Sequence, residues 1–507
     1  MIRMCTRCTP YGLFATCSLG EINDNTSIEL NNRSSIIRHG RIDMDYAGQA
    51  LSHLLEKPEI NQQLRFFPNS SLYPLGDNYR YVEHRFTLES GRSYHLVQIA
   101  KSIYLDKIIE AARAGLSARD LAAIITDNEV SSEEALGFLN ELISNQVLIS
   151  DLEPNVTGEE YFKTLVKKLK QLDNTEEYVK HFENVNKEFE QIKTGTGDKN
   201  IFYGNIVSHL RNLEIPVHLK TLIQIDSYRP TLHCKINKRV CDDLLYESSL
   251  IQLLANSSEI NDIFRDFKNA FMDRYEGQWI PLVEVLDTES GIGYGKFSTS
   301  GLEESPLIDK LPIGEGNNSY QTSSGSDVDN FKWQLYQEAI TKQKTELIID
   351  DATIERLSKS ELKPNGLPDS VYLMSRIHAS SAAEIDAGNY TVFIHPPAGP
   401  SGGNLLGRFC HLHPDIEALT KTILQQEEAH QPDALFAEIV HLPESRIGNI
   451  LMRPIMRNYE IPYLCGSTLD KDFQIPVTDL LVGIENGNVV LFSKKLKTGN
   501  SPHDQCT

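Results

Sequence analysis

The sequence predicts an α+β protein of several subdomains, with mixed and antiparallel sheets and one embedded winged-helix-like element. Three observations carry that expectation. At 507 residues the chain is long enough for more than one packed unit. Segments that alternate apolar and polar residues recur between segments with helical spacing. One stretch from about Arg80 to Ser150 orders a hairpin, three helices and a strand in sequence.

Residues 1–60 read as short strands and turns followed by a helix around Tyr46–Glu56. Within them "SSIIRHGRIDMDY" has strand-like alternation broken by Gly40. Next, "RYVEHRFTL" and "SYHLVQIA" alternate apolar and polar residues on either side of "ESGR", the pattern of a β-hairpin. A helix from Tyr104 to Ala114 stops at Gly115. Ser117 starts a second helix, with Asp120 three residues on, and Ser131 starts a third, with Glu134 completing a capping box. The third helix places Ala135, Leu139, Leu142 and Ile143 on one face, and "QVLIS" returns as a strand. That order is a winged-helix pattern. Its third helix carries Glu133, Glu134 and Glu141 and no Lys or Arg, which disfavours DNA reading. Such a unit can instead offer a sheet edge and a helix groove to an extended peptide. A purely structural module is the equal alternative.

A long amphipathic helix is expected from about Glu159 to Gln191, with Lys163, Lys167, Lys168 and Lys170 on its first half as a solvated face. The Gly-, Ser- and Asn-rich stretch from Gly314 to Asn330 reads as a mobile loop. Four other segments look constrained. "LIQIDSYRP" is an apolar strand ending at Asp226, and "IPLVEVLDTESGIGYG" is a strand, an acid at Asp287 and a glycine turn. "PPAGPSGGNLLGRF" is a glycine-rich loop running into Arg408. It lacks the endings of a P-loop or a Rossmann turn and reads as a plain backbone turn. "HLPESRIGNILMRPIMRNYEIP" spaces Arg446, Arg453 and Arg457 among Asn449 and three prolines. Arginines at such spacing are costly to bury unless they hold an anion or a carboxylate, although structural ion pairs are the commoner use of any one of them.

Composition narrows the function. Hydrophobic residues are 40% and charged residues 23% of the chain, ordinary for a globular protein. There is no apolar run of transmembrane length and no secretory h-region at the start. Eight scattered cysteines suit free thiols in a reducing cytosol. Cys5 and Cys8 form a C-x-x-C, but Cys17 with His39 is a poor second pair, so structural cysteines are favoured over a metal site. A net charge of −21 argues against a general nucleic-acid binder, while leaving room for a local basic cleft at Arg3, Arg7, Arg33, Arg38 and Arg41.

The opening "RMCTRCTPYGLFA" resembles the "R-x-S-T-R-x-T-P-F-G-L-F-A" signature of lantibiotic dehydratases, with Cys5 in place of serine and Tyr11 in place of phenylalanine. "RIDMDY", "LIQIDSYRP", "PLVEVLDTESGIGYG", "NLLGRF" and "LPESRIGNILMRPIMRNYEIPY" resemble that family in the same order, over essentially the whole chain. The resemblance implies the family's glutamylation domain. That domain takes glutamate from glutamyl-tRNA, a co-substrate, and esterifies it onto Ser and Thr hydroxyls of a lanthipeptide precursor. A separate domain then eliminates glutamate, and a winged-helix-like element binds the leader peptide as an added strand. No bound cofactor and no metal is implied.

Carried over residue by residue, the resemblance assigns Arg3, Arg7 and Thr9 from the signature, Asp43 from the "R-x-D-M" stretch and Asp226 from the strand. One late arginine completes the set, Arg446 first and Arg453 second. For each, the bland alternative is a buried ion pair joining subdomains. The division expected is residues 1–79 as the start of the glutamylation domain, 80–155 as the leader-binding element, 156–497 as the rest of the domain and 498–507 as a divergent tail. The chain reads as a piece truncated at both ends, since strands expected before the signature are absent and "LFSKKLKTGNSPHDQCT" leaves the family pattern after Lys497. The implied partners are the precursor leader, glutamyl-tRNA, an elimination domain on another chain or segment, a lanthionine cyclase, an export transporter and a second copy in a homodimer. The implied location is cytoplasmic, peripheral at the inner membrane face. The rival reading is a precursor-binding fragment of a split dehydratase that has lost catalysis.

Overall fold

In the computed structural model of the chain, residues 12–87, 91–194, 198–254, 258–294, 327–346, 350–359, 369–395, 399–443 and 446–496 are described. Among the described residues, helices alternate with seven small sheets of two or three strands. The architecture is therefore the expected α+β mixture of antiparallel and mixed sheets, since the pairs Glu21–Asn23 with Thr231–Asn237 and Ala437–His441 with Tyr459–Tyr463 run parallel.

The main core is built on the helix Met44–Leu55, whose Tyr46, Ala47, Ala50 and Leu54 are buried at helical spacing. Asp43 starts it as N-cap, accepting from the amide of Asp45 at 3.0 Å. Beside it runs the strand Ile37–Ile42, paired antiparallel with Ile223–Tyr228. The expected break at Gly40 does not occur. Gly40 sits mid-strand opposite Ile225, and a Cβ there would lie 2.5 Å from the Phe189 ring, so the missing side chain admits a helix rather than ending a strand.

The hairpin forms from Asn78–Thr87 and Gly91–Ala100, with Tyr81 opposite Val97. Three helices follow, Ile103–Ala112, Ala118–Ile125 and Ser132–Ser144, with side-chain caps at Ser102, Ser117 and Ser131 and a complete capping box at Ser131 and Glu134. The strand Leu148–Ser150 does not pair with the hairpin. It pairs with Arg65–Pro68, which also holds Leu116–Ser117, so the middle strand of this small sheet comes from before residue 80.

Other expectations are corrected. The long helix from Glu159 to Gln191 is two helices, Tyr161–Leu169 and Glu176–Thr194. The break is enforced by Asn174 at φ +61° and by Thr175, whose hydroxyl donates to the carbonyls of Leu169 and Leu172. Ile280–Pro281 is only a two-residue strand that passes directly into the short helix Leu282–Leu286. The strand carrying Asp226 continues past it to Tyr228. The loop expected from Gly314 to Asn330 lies mostly outside the described residues, and its last four residues open the helix Asp327–Thr341. No helix among the described residues is long and apolar enough to cross a membrane.

Candidate functional site

The two-stranded ladder builds the site. Its register sets Asp226 opposite His39 and Gln224 opposite Arg41. Residues two apart on a strand share a face, so these four polar side chains meet on one side of the ladder. The 3₁₀ turn Gly407–Leu412 is anchored by buried Phe409, Cys410 and Leu412. In a 3₁₀ turn, positions three apart eclipse one another. Arg408 and His411 therefore reach the same target: Arg408 Nη2 lies 3.4 Å from Asp226 Oδ1, and His411 Nε2 lies 3.4 Å from Asp226 Oδ2. Arg41 Nη2 approaches Oδ2 at 3.6 Å, and Gln224 Nε2 approaches Oδ1 at 3.4 Å.

Asp226 is 1% exposed, and a carboxylate that deep needs partners. Its partners stand off. Asp226 Oδ2, Arg41 Nε, Arg408 Nε and both ring nitrogens of His411 are buried without a hydrogen-bond partner. Fully satisfied structural ion pairs do not look like this. The cluster holds two guanidinium groups against one carboxylate, with hydrogen-bonding capacity left over.

A second pair adjoins it. Asp43 is buried at the N-terminus of Met44–Leu55, its amide donates to the carbonyl of Leu222 at 2.9 Å, and Arg446 Nε lies 3.7 Å from Asp43 Oδ2. Asn449 links the pairs. Its backbone carbonyl accepts from Arg41 Nη2, and its Oδ1 accepts at 3.0 Å from the amide of Met44, the residue after Asp43. Asn449 can come this close because Gly448 before it has no side chain; a Cβ there would meet Leu442 at 2.7 Å and Met44 at 3.1 Å.

The electrostatics separate the two acids. Burial works to raise both. For Asp226 the proximity of His411, with the charges of Arg41 and Arg408, outweighs burial and holds the carboxyl below its usual range. For Asp43 burial wins over Asn449, the Asp45 amide and Arg446, and its carboxyl is raised. His39 is pushed down to about 3 by burial and by the neighbouring His411, whose ring stands edge-on at 5.0 Å. Burial likewise lowers His411, with Asp226 pulling the other way.

Of the residues assigned from the sequence, Asp43, Asp226 and Arg446 fall into this region. Arg3, Arg7 and Thr9 lie outside the described residues. The signature's end is tied to the Asp226 strand, because the Gly12 carbonyl accepts from Ser227 Oγ at 3.0 Å and Cys17 hydrogen-bonds on to Ser227 and Arg229. Arg453 belongs elsewhere. It pairs with the largely buried Glu438 at 2.9 Å and donates to the Leu451 carbonyl, which joins the parallel sheet to its loop. Arg457 is similarly bound to Glu427 and Glu428. Asp287 is a clamp: Arg80 donates to both its oxygens at 2.8 and 2.7 Å, and Tyr73 and the amides of Glu289 and Ser290 also bind it.

Arg41, Arg408, His411 and Asn449 carry as much of the geometry as the assigned acids and were not assigned from sequence. The three-residue spacing of Arg408 and His411 in "GRFCHL" was a usable signal, had the segment been read as a 3₁₀ turn. Three of the lysines read as a solvated face, Lys163, Lys167 and Lys170, also line part of a cavity of about 450 Å³, together with Lys187, Lys193 and His39. No group of three or more His, Cys, Asp or Glu among the described residues is placed to hold a metal ion.

Comparison with known proteins supplies the context. The subtilin biosynthesis protein SpaB of Bacillus subtilis is 23% identical over 492 residues, 95% of this chain and 45% of its own length. The nisin biosynthesis protein NisB of Lactococcus lactis subsp. lactis is 23% identical over 500 residues, 94% of this chain and 46% of its own length. The chain thus spans about half the length of the relatives it matches. The crystal structure of the tRNA dependent lantibiotic dehydratase MibB from Microbispora sp. 107891 superposes with a TM-score of 0.75 at 20% identity, covering 96% of this chain and 46% of that one. The glutamylation domain of TbtB, from thiomuracin biosynthesis, bound to 5'-phosphodesmethylglutamycin, superposes at 0.60 with 13% identity, covering 97% of this chain and 60% of that one. Residues 1–502 match the family described as Lantibiotic dehydratase, N terminus.

Proposed function

Because the chain belongs to the lantibiotic dehydratase N-terminal family, we propose that it transfers glutamate from glutamyl-tRNA to Ser and Thr hydroxyls of a precursor peptide. The observation that carries this reading is the convergence of Arg41, Arg408 and His411 on buried Asp226 with donors left unpaired. Acyl transfer from a ribose ester to a hydroxyl develops negative charge on the carbonyl oxygen beside a phosphodiester. Preorganised guanidinium groups in a water-poor site stabilise such charge, an effect of about 3 kcal/mol per good donor. Asp226 fixes the direction of both guanidinium groups without cancelling their combined charge. Asp43, its proton affinity raised by burial, accepts the hydroxyl proton, with Arg446 alongside. Arg3, Arg7 and Thr9 contribute further contacts to the tRNA end.

The precursor's leader is assigned to the unit formed by the hairpin, the three helices and the sheet around Arg65–Pro68. This is supported by Gly91–Ala100 lying at the edge of its sheet, where an extended segment can add as a strand, and by the acidic third helix. Transfer of labelled glutamate from preformed glutamyl-tRNA to a cognate precursor tests the reading. Label in the peptide, lost on mild base treatment as an ester, is the expected result. Label that never leaves the tRNA overturns it and favours precursor binding without catalysis.

A further inference from the structure

A second cavity, of about 130 Å³, lies against one side of Met44–Leu55, the helix that Asp43 caps. Its other walls are His84 on the hairpin strand Asn78–Thr87, the pair Glu153 and Pro154, and Leu442 just after the strand Ala437–His441. The cavity therefore touches both the unit assigned to the leader and the helix that carries the acid. We propose that it is a specificity subsite of the transfer reaction, taking the side chain of the precursor residue beside the acceptor Ser or Thr, and that it favours a lysine there. The inference rests on the glutamyl-transfer reading and deepens it.

The cavity wall begins at Met44 and Asp45, and the Asp45 amide donates to the Asp43 carboxylate at 3.0 Å. A hydroxyl delivered to Asp43 thus stands within a residue or so of the cavity along an extended peptide, which advances about 3.4 Å per residue. On the opposite wall His84 pairs with Tyr94 across the hairpin, and the Tyr94 hydroxyl donates to the Leu442 carbonyl, so the hairpin is fastened to that wall. The volume is close to the roughly 150 Å³ of an engineered cavity that admits benzene, which leaves room for one side chain and not for a stretch of backbone. Met44, Leu51, Pro154 and Leu442 supply apolar surface, and the charged groups among the lining residues are the carboxylates of Asp45 and Glu153, with no lysine or arginine. Asp45 is met by a neutral partner, Gln49 Nε2, at 3.3 Å. A lysine lays its aliphatic stem on apolar surface and keeps its ammonium at a polar edge, which matches this lining. A glutamate or aspartate would bring a third carboxylate to walls that carry no lysine or arginine, and like charges brought together select against that partner.

Competition between peptides measures the subsite directly. Precursors identical except for Lys, Ala or Glu beside a single acceptor Ser, on one side of it or the other, are mixed with glutamyl-tRNA, and ester formation on each is followed by mass. Wild-type chain should take the Lys peptide about tenfold faster than the Glu peptide at one of the two flanking positions. Asp45→Asn keeps the backbone amide that binds Asp43 and removes one carboxylate, so the Lys-to-Glu ratio should fall to about threefold or less. The ratio is taken within one reaction, so any change in overall rate cancels. Glu153→Gln should act in the same direction and serves if D45N does not fold. Gly48→Leu narrows the cavity from the helix side and should slow the Lys peptide about fivefold relative to the Ala peptide, with leader affinity unchanged. Ser52→Leu, on the same wall, serves if G48L does not fold. A wild type with no preference among the three side chains, or a preference that D45N or the filled cavity leaves as it was, overturns the inference while the transfer reading stands. Wild-type chain that esterifies none of the peptides removes that reading and the inference with it.

Discussion

Arg446 and Arg453 stand seven residues apart in one segment and do different things. Arg453 holds Glu438 at 2.9 Å in a site where both are largely buried, and the Glu438 carboxyl is already raised by burial. Arg453→Ala would strand that acid and should cost about 3 kcal/mol, a fall of several degrees in Tm, leaving glutamyl transfer per folded molecule close to normal. Arg446 is mostly exposed, so Arg446→Ala should leave Tm nearly unchanged and slow transfer tenfold or more. Thermal melts alongside the transfer assay check both, and the opposite pattern would exchange their roles. The sequence reading placed Arg446 first and Arg453 second within one motif. What separates them is the acid each meets, and Glu438 comes from a strand whose parallel pairing no local pattern encodes. His39 adds a pH prediction. Its folded value of about 3 lies far below the usual 6.5, so the unfolded chain takes up a proton that the folded chain refuses. Stability must therefore fall as pH drops from about 6.5 toward 3, and the lowered His411 acts in the same direction. Tm should be lower at pH 5 than at pH 7.5; an unchanged Tm across that interval contradicts the burial of these rings.

Local elements with strong chemical punctuation were legible. The hairpin, the three capped helices and the helix after Asp43 follow from alternation, Ser caps and apolar spacing, which act over a few residues. Elements fixed by tertiary contact were not. Gly40 reads as a break until Phe189 fills its place, and the strand Arg65–Pro68 has no alternation to mark it as the centre of a sheet. Asp287 was visible as a constrained acid, though not as a clamp between its own turn and the hairpin. Burial tends to raise its carboxyl, but the Ser290 amide, the Tyr73 hydroxyl, the Glu289 amide and Arg80 hold it at about 2. Its contribution is present above the usual carboxylate range, near pH 4, and is lost as pH falls through 2. Asp287→Asn should leave Arg80 with only the exposed Glu289 carboxylate as a charged partner, cost about 3 kcal/mol, and loosen the hairpin from the segment Leu282–Leu286. Hydrogen exchange should then quicken in Asn78–Ala100 before it does in Met44–Leu55. Equal exchange in both segments would mean the clamp does not hold the hairpin.

At the scale of the whole molecule, the family and the α+β architecture were readable from motifs that recur in order along the chain, and the match over residues 1–502 agrees. The site was readable only in part. Asp43 and Asp226 were found because each lies in a motif, whereas Arg41, Arg408 and His411 become one cluster only when strands and a 3₁₀ turn far apart in sequence are brought together. The central claim is that this cluster carries glutamyl transfer. Arg408→Lys tests it most directly, because lysine keeps the charge and loses the forked donor geometry. The measurement is the intact mass of a cognate precursor after incubation with glutamyl-tRNA and either wild-type chain or R408K of matched Tm. Whole glutamyl additions with wild type, reduced at least a hundredfold in rate with R408K, are the predicted result. Equal glutamylation by both proteins would place the chemistry elsewhere, and a precursor that leaves the wild-type reaction unmodified would contradict glutamyl transfer itself.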